Sequence, residues 1–110
     1  MELANSVYRI ANDLPQKESF GMYSQITRAA LSIPSNIAEG CSRSSAKELK
    51  RYMEIALGSA FELETQLLII ESNILKNNHT QETLQQLQTL QKQIIAFSHR
   101  FINPSNPITP

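Results

Sequence analysis

The sequence predicts an all-α chain folded as an antiparallel, up-down-up-down four-helix bundle, and three observations lead there. Apolar residues recur at helical spacing in four separate segments. Glycine and proline are scarce, three and five in 110 residues, and most of the prolines gather at the C-terminus. Few residues separate the segments, and short connections between long helices force antiparallel neighbours. A chain of this length has room for one hydrophobic core, burying roughly two-thirds of its unfolded surface. The expectation is one bundle over residues 1–102 and a disordered tail over 103–110, where three prolines fall among polar residues.

Each segment carries its own signal. In the first, Leu3, Val7, Ile10 and Leu14 follow steps of four, three and four before Pro15. About three turns precede that proline, so this helix is predicted to be short. The second is expected from about Glu18 to Glu39, with Met22, Ile26, Ala29, Ile33 and Ile37 on one side and Gly40 as its stop. Pro34 sits inside it, removes one donor and crowds the carbonyl of Ala30, so a kink is expected there. Ser32, Ser35 and Asn36 are placed to satisfy freed backbone groups.

The third segment is the most regular. Ser45 followed three residues later by Glu48 forms a capping-box pattern. Ala46, Leu49, Met53, Ala56, Ala60, Leu63, Leu67, Ile70 and Ile74 then hold a heptad seam, predicting a rod from Ser45 to about Lys76. Asn77-Asn78 breaks it. Thr80 is a candidate cap for the fourth helix, where Leu87, Leu90, Ile94, Phe97 and Phe101 again alternate three and four. The glutamines between Gln81 and Gln93 are assigned to that helix's outer face.

The third helix is apolar on a second side. Phe61, Leu68 and Leu75 lie nearly opposite the seam at seven-residue spacing, with Ile55 and Ile69 beside them and the small residues Gly58, Thr65 and Ser72 between. A surface helix of a monomer shows one apolar stripe. A second stripe suits another helix, either of the same bundle or of the next subunit; the candidate oligomer interface is Ile55, Gly58, Phe61, Thr65, Leu68, Ile69 and Leu75.

On the second helix Gln25, Arg28, Ser32, Asn36 and Glu39 form one polar line. It is either a hydrogen-bonded seam between helices, with Arg28 paired to Glu62 or Glu54, or a line facing a pore or ligand. The planar fork of Arg28 suits a two-bond contact with a carboxylate.

Formal net charge is zero, so any polyanion partner depends on local charge. Arg43, Lys47, Lys50 and Arg51 fall within nine residues against one acid, Glu48, and Glu54, Glu62, Glu64 and Glu71 follow with no base between them. Cations at a helix start oppose the helix dipole. These four residues are the candidate nucleic-acid site, the alternative being a solvated basic turn.

Catalysis finds little support. His79 and His99 stand at opposite ends of the fourth helix, with no cysteine or acid at metal-ligand spacing. Cys41 has Arg43 nearby but no histidine in reach by sequence, and Glu62 and Glu64, two apart, point to different faces. No glycine-rich phosphate loop is present. The expectation is a non-enzymatic protein without metal or cofactor. The single cysteine fits a reducing cytoplasm. The N-terminus has no run suited to a signal peptide, and the longest aliphatic run, Leu67-Leu68-Ile69-Ile70, falls far short of the roughly 20 residues of a membrane span.

Two stretches carry a resemblance. Ser24-Gln25-Ile26-Thr27-Arg28-Ala29-Ala30-Leu31-Ser32-Ile33-Pro34-Ser35-Asn36-Ile37-Ala38-Glu39-Gly40 resembles the first signature of the four-helix-bundle family of 23S rRNA intervening-sequence proteins. Ile55-Ala56-Leu57-Gly58-Ser59-Ala60-Phe61-Glu62-Leu63-Glu64-Thr65-Gln66-Leu67 resembles its second. The resemblance runs from Leu3 to about Phe101. It implies a bacterial bundle without established catalytic activity. A related branch is the accessory variability protein of diversity-generating retroelements, which forms a basic pentameric barrel that binds nucleic acid and a reverse transcriptase. By that analogy a homopentamer, RNA or DNA, and a protein partner such as a reverse transcriptase are the implied associations. The retroelement protein is strongly basic, whereas this chain is neutral. Two functions follow as alternatives: a nucleic-acid or ribonucleoprotein accessory factor, or a protein-interaction scaffold.

Overall fold

The computed structural model describes residues 2–15, 21–74 and 78–101. They form four helices: α1 (Glu2–Asn12), α2 (Gly21–Cys41), α3 (Ala46–Asn73) and α4 (Asn78–Phe101). The expected start of the second helix at Glu18, the interface candidate Leu75 and the tail 103–110 lie outside the described residues.

The predicted apolar lines form the core. Leu3, Val7, Ile10 and Leu14 of the first segment are buried, as are Ile26, Ala29, Ala30 and Ile33 of α2. On α3 the seam is covered at Met53, Ala56, Ala60, Leu63, Leu67 and Ile70, and α4 adds Leu84, Leu87 and Ile94. Adjacent helices pack as a closed ring, α1 on α2 and α4, α2 on α3, and α3 on α4. Side-chain pairs show the direction of travel. Ser32 meets Ser59 while Gly40 faces Tyr52, and Gln81 reaches Glu71 while Gln91 reaches Glu64, so both neighbouring pairs run antiparallel.

Ser45 caps α3 from extended backbone, φ −114° and ψ 146°, and its hydroxyl accepts the Glu48 N–H at 3.1 Å. Glu48 reaches back to the Ser45 hydroxyl, accepting at 3.2 Å, and so ties the cap together through its side chain. The far end falls earlier than the periodicity implied. The helix stops at Asn73, and the Ile74 N–H closes it on the Ile70 carbonyl at 2.9 Å.

Two local expectations change. Gly40 does not stop α2: it lies inside the helix, buried, and no glycine among the described residues has a positive φ. A Cβ there would meet the Cβ of Tyr52 at 2.8 Å and Met53 Cε at 3.2 Å, so its role is close approach between α2 and α3. Thr80 is not a flanking cap, because α4 begins at Asn78 and Thr80 sits fully buried in its first turn. Helix α2 continues through Pro34, and beside it the Asn36 amide donates back to the Ser32 carbonyl at 2.7 Å and to its hydroxyl at 3.0 Å, the kind of backbone support expected of these residues.

Candidate functional site

Two surfaces meet on α3. At about 100° per residue, Lys47, Arg51, Ile55, Gly58, Glu62, Thr65 and Ile69 follow one line on the side away from the seam, with Lys50, Glu54, Phe61 and Leu68 beside it. All of these residues are exposed. Phe61 shows 46 % of its surface, Leu68 50 %, Ile69 45 % and Ile55 40 %. The structure thus places Ile55, Gly58, Phe61, Thr65, Leu68 and Ile69 on one open face, uncovered by any helix of its own bundle. Leu31 of α2, 45 % exposed, is a further bare aliphatic that the periodicity did not single out. Its signal was available, because Leu31 stands off the line of Ile26, Ile33 and Ile37.

The cations gather at the α2–α3 turn. There the Ser42 N–H donates to the Ala38 and Glu39 carbonyls, both at 3.2 Å, and the Arg43 N–H donates to the Gly40 carbonyl at 3.1 Å. Arg43 is fastened three ways. Its guanidinium donates to Glu39 Oε2 at 2.6 Å and to the Tyr52 hydroxyl at 3.1 Å, and it stands 5.2 Å from the centre of the Tyr52 ring. Tyr52 raises the Arg43 pKa above its ordinary value, loss of hydration opposes it, and the carboxylates of Glu39 and Glu48 add to the rise. Lys47, Lys50 and Arg51 are exposed and form no ion pair among the described residues, where Arg43–Glu39 is the single such pair.

The polar line of α2 is divided. Ser32 bonds the Ser59 hydroxyl at 2.8 Å and Asn36 supports Ser32, so its centre is a seam between α2 and α3. Glu39 belongs to the basic turn. Gln25 and Arg28 are exposed, and Arg28 forms no ion pair with Glu62 or Glu54. Arg28 stands one turn before the Ser32–Ser59 bridge, and its side chain stays in solvent rather than crossing to α3.

Sequence reasoning missed the acid at the α3–α4 junction. Glu64 takes the Gln88 amide at 3.2 Å on one oxygen and the Gln91 amide at 3.2 Å on the other. Gln91 is buried and also donates to the Ala60 carbonyl at 3.5 Å, so the glutamine-rich segment is not all outer face.

Because α1 has 11 residues and its neighbours α2 and α4 have 21 and 24, the groove between α2 and α4 is open at one end. A cavity of about 170 Å³ lies there, lined by Ile37, Cys41, Met53, Leu90, Gln93, Ile94 and Phe97. Cys41 is an exposed free thiol at its edge. His79 and His99 are exposed near opposite ends of α4. Among the described residues no three metal-ligating side chains come together, and no helix is long and apolar enough to cross a membrane.

Among the described residues, four packed helices and no strand, with an open apolar face and a basic turn, define an all-α bundle. The family model of the 23S rRNA-intervening sequence protein matches residues 1–96, and the chain belongs to that family. No curated protein matches the sequence.

Proposed function

We propose that this protein is a non-enzymatic bundle that assembles with copies of itself through the outer face of α3 and serves as a nucleic-acid or ribonucleoprotein accessory factor. The observation that carries this reading is the continuity of that face. Half-bare Ile55, Phe61, Leu68 and Ile69 share it with Lys47, Lys50 and Arg51. Contiguous exposed apolar patches mark association sites. Assembly on the apolar part would repeat the cations in every subunit, and phosphate contacts add across copies. A five-fold ring is the arrangement the family resemblance favours.

Zero net charge favours a second reading, a scaffold for protein partners in which the basic turn only aids solubility. Two measurements separate them. Light scattering at micromolar concentration should give a multiple of the 12.4 kDa chain mass, and Phe61→Glu with Leu68→Glu should reduce it to one chain. Structured RNA or DNA should bind with an affinity that falls steeply as salt rises, and Lys47→Glu with Arg51→Glu should abolish it. A monomer mass for the unaltered protein overturns the assembly. Binding that is absent, or unmoved by salt, leaves the scaffold.

A further inference from the structure

Resting on that reading of the basic turn, we infer that the turn grips the backbone of a double helix through Lys47, Lys50 and Arg51, with Arg43 a positioning residue that does not touch the ligand. Proteins that hold single strands stack the bases on aromatic side chains, whereas double helices are met mainly at their phosphates and sugars. The aromatic beside these cations is Tyr52, and it is already engaged. It is half-buried, the Arg43 guanidinium lies over its ring at 5.2 Å, and its hydroxyl takes an Arg43 bond at 3.1 Å. The other aromatic of α3, Phe61, is ten residues past Arg51, roughly 15 Å along the helix, with Glu54 between and Glu62 beside it. Among the described residues of α3, a base therefore finds no free ring next to the charge.

The charges themselves divide in the same way. Arg43 is neutralised by Glu39 at 2.6 Å, and releasing it to a phosphate would break the Glu39 and Tyr52 contacts that join the end of α2 to the start of α3. Lys47, Lys50 and Arg51 carry no such obligation. They span little more than one turn of the outer face, about 6 Å from first to last along the axis. Their row ends at Glu54, which would repel a strand continuing along α3. The footprint is a short row of point charges, suited to a few phosphates held in the fixed geometry of a duplex.

Fluorescence anisotropy of the intact protein with labelled RNA duplex, DNA duplex and single strand of equal length tests this. One duplex or both should bind about tenfold tighter than the single strand. Lys47→Gln and Arg51→Gln should each flatten the plot of log affinity against log salt by about 0.9 per phosphate lost. Arg43→Gln should leave that slope and the duplex affinity unchanged within about twofold while lowering the melting temperature. Equal or tighter binding of the single strand overturns the inference, as does an Arg43→Gln slope change matching that of Lys47→Gln. Absence of binding to all three probes overturns instead the nucleic-acid function on which it rests.

Discussion

At Gly40 the two longest-packed helices of the bundle come so close that only hydrogen fits as a side chain. The nearest atom to an added methyl would be the Tyr52 Cβ at 2.8 Å, an atom fixed to the α3 backbone and unable to swing aside. Gly40→Ala should therefore destabilise the fold by about 1–3 kcal/mol, the usual cost of overpacking, although alanine is the better helix former by about 1 kcal/mol. Urea unfolding checks the sign: a more stable variant would show that the helices part without cost. The residue was visible in the sequence and its role was not. A glycine at the end of an apolar period reads as a stop, and only the position of Tyr52, twelve residues on, reveals a contact. The same limit hid the grip of Gln88 and Gln91 on Glu64, whose partners lie 24 and 27 residues apart. Local spacing encodes which side of a helix is buried, not which polar atom waits across the junction.

Elements were legible where a pattern repeats. The seam of α3 is written in nine apolar residues, and its central run is buried because alternating steps of three and four keep one side of a helix turned to the core. The N-terminal signal was local too: Ser45 needs only its own hydroxyl to take the Glu48 N–H three residues on, one of the donors orphaned at the helix start. Ser45→Ala should cost about 1 kcal/mol, and Ser45→Asp should restore most of it, since a carboxylate also accepts at that position. Thermal melts of both variants beside the parent decide this, and equal loss in both would place the effect elsewhere than in the cap. The C-terminal end was less legible. Nothing apolar or polar in the run to Lys76 marks Ile74, yet its N–H closes the last turn. Near Pro34 the local signal was legible, because Asn36 returns its amide to Ser32 one turn back, a side-chain bond that spacing alone predicts.

Across the whole molecule the core and the open face make opposite demands. The core closes within one chain: Val7, Ile10, Ile26, Ile33, Leu63, Leu67, Ile70 and Leu87 are shut from solvent without help from a second copy. Phe61, Leu68, Ile69, Ile55 and Leu31 are not, and each shows 40 % or more of its surface. If copies of the chain cover these residues on assembly, the folded state gains a stabilising term that depends on protein concentration, because the unfolded chain does not associate in the same way. The melting temperature should then rise as the protein is concentrated from low micromolar to hundreds of micromolar. Phe61→Glu with Leu68→Glu should remove that dependence while leaving a cooperative transition, since neither side chain belongs to the core. Calorimetry at several concentrations reads both effects at once. A melting temperature independent of concentration in the unaltered protein, with the double variant melting at the same point, would mean that the bare face stays in water and that the cations of the basic turn act singly.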